Sequence, residues 1–135
     1  MRLYVVQLGS WVQDQCPNAP APGQAPASQF DLVLEATAGA AVGSSGAPYS
    51  LTITATDETT AQPVSPMSLT LPLQAFDSTD GWKPNPNHSA FVNTKRFTID
   101  VPPNITGHLF HYAATLISAN YQLVSFIDSS QFVLL

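Results

Sequence analysis

Alternation of apolar and polar positions dominates the chain. Phe30, Leu32, Leu34 and Ala36 alternate with Asp31, Val33, Glu35 and Thr37. Tyr49, Leu51, Ile53 and Ala55 alternate with Ser50, Thr52, Thr54 and Thr56. Met67, Leu69, Leu71 and Leu73 do so with Ser68, Thr70, Pro72 and Gln74, and Phe97, Ile99 and Val101 with Arg96, Thr98 and Asp100. A period of two puts one set on a dry face and the other on a wet face, as in antiparallel strands. Leu3 to Leu8 predicts an opening strand and Phe132 to Leu135 a closing one. Runs 107–117 and 121–127 are apolar on both faces, which predicts two central strands. The short Ser118-Ala119-Asn120 link predicts a hairpin with Asn120 at positive φ.

No stretch combines a 3.6 period, a cap and helical length. Pro48, Pro66, Pro102 and Pro103 flank the predicted strands, while Pro72 lies inside one, which assigns that strand to a sheet edge or a bulge. Three segments break the alternation. Residues 16–28, with four prolines, predict a stiff, extended connector. Gly39 to Ala47 predicts a flexible hairpin loop, and Asp77 to Asn93 a long polar loop. The pattern predicts a single all-β domain over 1–135, a two-sheet antiparallel sandwich of seven or eight strands. Its strand count and spacing resemble the immunoglobulin or fibronectin type III architecture, without the Cys…Trp…Cys signature. Tyr112 admits a corner-motif reading, but a core tyrosine with a satisfied hydroxyl is expected.

Composition narrows the partners. Only 10% of the 135 residues are charged, against about a quarter in an average domain. The cations are Arg2, Lys83, Lys95 and Arg96, and the net charge is −5. That argues against nucleic acid and against anionic membranes, both of which call for clustered Lys and Arg. No run approaches the roughly 18 apolar residues that span a bilayer. The apolar run at Leu3 is short and broken by Gln7, which fails as a signal peptide. The expected location is the cytoplasm, or export within a larger assembly. The sequons at Asn87 and Asn104 then read as chance matches.

Candidate chemistry is thin. Cys16 is alone, so no internal disulfide forms, and no basic neighbour in sequence activates it. His108 and His111, three apart in a strand, point to opposite faces and read as packing residues. Asp57-Glu58 reads as a solvated turn pair. The loop carrying Asp77, Asp80, Trp82, Asn85, Asn87 and His88 is the candidate ligand site. Its oxygens suit calcium, but the spacing fits no EF-hand and Lys83 opposes a cation, so no metal is expected. Trp82 reads either as a platform for sugar stacking, with Asp and Asn beside it, or as a plug closing one end of the sandwich. The plug is favoured, because large aromatics are mostly buried.

With no nucleophile elbow and no phosphate loop, the chain reads as a non-enzymatic protein–protein interaction or assembly module without cofactors. Its expected partner is itself or another protein. Carbohydrate or small-ligand binding is the alternative, and a hydrolytic or metal-dependent enzyme ranks below both. The candidate interface is the uncharged opening strand, Leu3, Tyr4, Val5, Val6 and Leu8 with Trp11. An edge of that kind must be covered, and the long connector is expected to carry it onto a second chain.

Overall fold

The computed structural model describes residues 1–85 and 89–135. It contains β1 (Arg2–Val6), β2 (Gln29–Gly39), a one-turn helix α1 (Ala40–Gly43), β3 (Pro48–Asp57), β4 (Gln62–Pro63), β5 (Leu69–Ala75), β6 (Lys83–Asn85), β7 (Ala90–Asp100), β8 (Leu109–Ser118), β9 (Leu123–Asp128) and β10 (Phe132–Val133). Three 3-10 turns complete it, at Ser65–Met67, Ser78–Asp80 and Ala119–Tyr121. Two antiparallel sheets form. One has the order β1-β2-β7-β6. In the other β3 and β8 lie side by side. The free side of β3 takes β4 and β5 in succession, and that of β8 takes β9 and β10. These divided edges explain why ten segments form where seven or eight were expected. No helix is long and apolar enough to cross a membrane.

The apolar faces meet as the alternation requires. Phe30, Leu32, Leu34, Tyr49, Leu51, Ile53, Phe110, Tyr112 and Leu116 share one core. Removing each large side chain from water stabilises the fold by roughly 1.5–3 kcal/mol before entropy is counted. Phe132 closes one end, its ring 5.8 Å from Phe30, 5.6 Å from Phe110 and 5.7 Å from Tyr112. The Tyr112 hydroxyl donates to the Met67 carbonyl at 2.9 Å. It is therefore a satisfied core tyrosine, bonded to the turn before β5 and not to its own corner.

Several expectations need correction. The loop at 77–93 is shorter than its composition suggests, because β6 and the start of β7 pair within it, Lys83 opposite Val92 and Asn85 opposite Ala90. Part of Gly39 to Ala47 closes into α1, against Phe91; a Cβ on Gly43 would lie 2.5 Å from the Phe91 Cβ. In the β8–β9 hairpin the left-handed position is Gln122, φ 49°, and not Asn120. Pro72 does mark both an edge and a bulge: among the described residues β5 pairs with β3 alone, and the register shifts between Tyr49 and Leu51. Of the two strands read as central, β8 is central and β9 is not. Among the described residues β9 pairs with β8 alone.

The connector is neither fully extended nor free. Turn bonds from Ala19 N–H to the Cys16 carbonyl and from Ala27 N–H to the Asn18 carbonyl fold it back on itself. Asn18 is fully buried. Its Nδ2 donates to the Leu135 carbonyl at 2.9 Å and to the Ala27 carbonyl at 3.3 Å, and its Oδ1 accepts from Leu135 N–H at 3.0 Å. The Val133 N–H donates to the Gln15 carbonyl. The reach expected to serve exchange is thus used to wrap the connector against the closing strand of its own sandwich. Meanwhile β1 pairs along its whole length with β2 of the same chain. Asn18→Ala removes three buried hydrogen bonds. It should lower stability by about 1–3 kcal/mol, read as a lower urea midpoint with an unchanged slope.

Candidate functional site

The candidate ligand loop turns its chemistry inward. The Asp77 carboxylate caps the turn that follows it, accepting from Thr79 N–H at 2.9 Å. The Asp80 carboxylate accepts from Ala75 N–H, and its carbonyl accepts from Asn93 Nδ2 at 2.8 Å and Lys95 Nζ at 3.2 Å. Gly81 then takes φ 91°, where a Cβ would lie 3.2 Å from the Asn93 Oδ1, and this left-handed step swings the next residue into the sandwich. Trp82 is 3% exposed. Its indole N–H donates to the Tyr49 hydroxyl at 3.1 Å, and its ring lies 5.2 Å from Phe76 and edge-on to Tyr49 at 83°. The indole is thus enclosed between the sheets and not presented on the loop surface. Asn85 pairs in β6, while Asn87 and His88 lie outside the described residues.

Beside the plug a cavity of about 220 Å³ opens between the sheets. Its cause is side-chain size. Along the inward face of β2, Leu32 and Leu34 give way to Ala36 and Ala38, so that the taper is left unfilled against Phe76, Trp82 and Leu116. Ser125 of β9 stands at its wall, and no charged side chain lines it. An apolar cavity of about 150 Å³ suffices for benzene.

Two histidine–carboxylate pairs tie the end of β3 to the start of β8. His108 Nδ1 lies 2.6 Å from Asp57 Oδ2, and Asp57 Oδ1 accepts from Thr59 and Thr60 N–H. His111 Nδ1 lies 2.8 Å from Glu58 Oε1 without hydrogen-bond alignment. The two histidines thus serve separate carboxylates; His108 lies just before β8 and His111 within it, so they do not share a strand as expected. Among the described residues neither is hydrogen-bonded to a hydroxyl or thiol, and no three His, Cys, Asp or Glu side chains gather as metal ligands. Burial, with Asp14 beside it, pushes the Cys16 thiol up, away from the reactive thiolate.

The candidate interface divides in two. Leu3, Tyr4, Val5 and Val6 are buried, with β1 paired to β2 of the same chain. Leu8 and Trp11 are exposed, Trp11 at 60%, on the loop after β1. That loop is fixed from below: Arg96 donates to Asp31 at 2.5 Å and to the Ser10 carbonyl, its guanidinium lies 3.9 Å from the Trp11 ring centre, and Gly9 N–H donates to Asp31 at 3.0 Å. Sequence reasoning missed a second apolar surface. Val124 is 60% and Phe126 77% exposed on the outward face of β9, beside Ile117 of β8. The available signal was the two-faced apolar pattern of residues 121–127, which was read as the mark of a central strand.

The chain matches no family model, no curated protein and no solved structure.

Burial pushes the Asp31 carboxyl up, but hydrogen bonds from Gly9, Arg96 and Thr98 outweigh it and hold the group below its ordinary 3.8. Asp57 follows the same balance, burial opposed by His108, Thr60 and Thr59, and is also held below 3.8. As pH falls the unfolded chain takes up these protons first. The stabilisation is therefore whole above the unfolded value and fades as pH falls through the lower folded values. The melting temperature should drop in that acid window. Combining Asp31→Asn with Asp57→Asn should lower stability at neutral pH and flatten the acid limb. An acid limb as steep as the wild type's in the double variant would contradict the assignment.

Proposed function

We propose that the chain is a non-enzymatic protein–protein interaction module that associates through an open sheet edge. The order β1-β2-β7-β6 against β9-β8-β3-β5 supports an immunoglobulin-like connectivity, a four-strand ABED sheet facing a GFC sheet with one added strand. The observation that carries the functional reading is β9. It is a six-residue edge whose outer backbone has no pairing among the described residues, with Leu123, Val124 and Phe126 exposed. Protein edges are usually blunted by lysine, proline, a bulge or short length. Here Asp128, at the very end, is the one charge in the strand. Light scattering at tens of micromolar should give a mass above the 14.4 kDa of one chain, and Phe126→Lys should return it to that value. A monomeric wild type at those concentrations refutes the reading.

A second reading rests on the cavity. The absence of charged side chains from its lining favours a small apolar ligand over a sugar, with Trp82 as one wall. In a Trp11→Phe background, Trp82 is the one remaining tryptophan. Its emission should then shift on titration with a small aromatic such as indole or naphthalene. A flat titration removes this reading.

A further inference from the structure

We infer that the partner of β9 is a second copy of this chain, joined antiparallel about a two-fold axis centred on Ser125. This rests on the reading of β9 as an interaction edge and goes further, to a partner and a register.

The strand reads Leu-Val-Ser-Phe-Ile-Asp over 123–128, and its chemistry is nearly palindromic about Ser125. In an antiparallel pair, residues directly opposite point to the same face. The register that sets Ser125 against Ser125 of the second copy sets Val124 against Phe126 on the outward face and Leu123 against Ile127 on the inward face. Every apolar residue of the strand then meets an apolar residue. A slip by one residue sets outward positions against inward ones. A shift that centres the axis on Phe126 sets the Asp128 carboxylate against Val124. A shift that centres it on Val124 leaves Phe126 facing Gln122. In the Ser125 register the one charge of the strand stands opposite Gln122, and the two Asp128 carboxylates lie at opposite ends of the ladder, six residues apart. At about 3.3 Å per residue that is roughly 20 Å, beyond strong repulsion.

Charge and shape also fit the surroundings. Ile117 lies opposite Val124 within the β8–β9 ladder and extends the outward apolar strip. The hairpin turn at Ala119–Tyr121 and the departure toward β10 after Asp128 bound the ladder at both ends, so the self-pairing window is the length of β9 itself. The apolar residues on both faces, which in sequence mark a strand with neighbours on each side, are then accounted for: β8 is one neighbour and the second β9 is the other.

The test is disulfide trapping with the lone native cysteine removed by Cys16→Ser. Directly opposed α-carbons in a ladder lie about 4.5–5.5 Å apart, within disulfide reach, whereas residues offset by two positions lie beyond about 7 Å. Under mild oxidation Ser125→Cys should convert to a covalent dimer. Val124→Cys should not, because its own copy is offset by two positions. Light scattering of the reduced proteins runs in parallel. A doubled mass, lost in Phe126→Lys, with trapping at 125 and none at 124, supports the inference. A doubled mass lost in Phe126→Lys but without trapping at 125 overturns the register and leaves the edge reading standing. A monomeric wild type overturns both.

Discussion

Every β-sheet ends in strands whose outer N–H and C=O groups have no partner, and two stacked sheets present four such rows. How this chain treats each row governs the rest of its architecture. On β1, Val6 bridges to Gln13 and Val5 accepts from Asp14 N–H, so the chain folds back over the lower part of its own edge. On the other side of that sheet, β6 is only three residues long and contains Pro84. In the second sheet the row beside β3 is split between β4 and β5, and β5 carries Pro72 at a register shift. The row beside β8 is split between β9 and β10, and there β9 carries neither proline nor lysine. Three edges are interrupted by short length, proline or self-pairing, while β9 has neither proline nor lysine and exposes Val124 and Phe126.

The scarcity of cations gives each ion pair more weight. Arg96 holds a nearly buried Asp31 and the loop that carries Trp11. Lys95 points toward the loop after β5, reaching the Gln74 side chain and the Asp80 carbonyl. Arg2 meets Glu35 at an exposed 3.5 Å, a contact of little energetic weight. The electrostatics thus fasten loops to the faces of the sandwich.

Much of the strand layout was legible in sequence, because a period of two reports directly which side chains share a face. Pro72 was legible too, since a missing N–H has few places in a ladder. What the pattern does not report is which strands are neighbours. The two-faced apolar run of β9 looks identical whether its second neighbour is in the same chain or in another. Asn18 was read only as part of a stiff, extended connector, because the prolines around it dominate that segment; its partner lies 117 residues away. Asp57 and His108 escaped for the same reason, being 51 residues apart and joined only by the β3–β8 register. Trp82 was readable as a plug from the habits of large aromatics, but the Gly81 step and the Tyr49 hydroxyl that hold it there were not.

The bulge at Pro72 has a bearing on how far any assembly grows. A sheet that can add a strand at both ends is a monomer unit for a fibre, since each addition recreates the surface that caused it. Here the two ends of the second sheet are unlike: β9 carries no proline, while at the β5 end Pro72 lacks an N–H and the register breaks. On the proposed pairing, association would use up the β9 end of each copy and leave the proline-interrupted ends outward. Growth would then stop at a closed pair, with one proline on the far side of the sheet setting that limit.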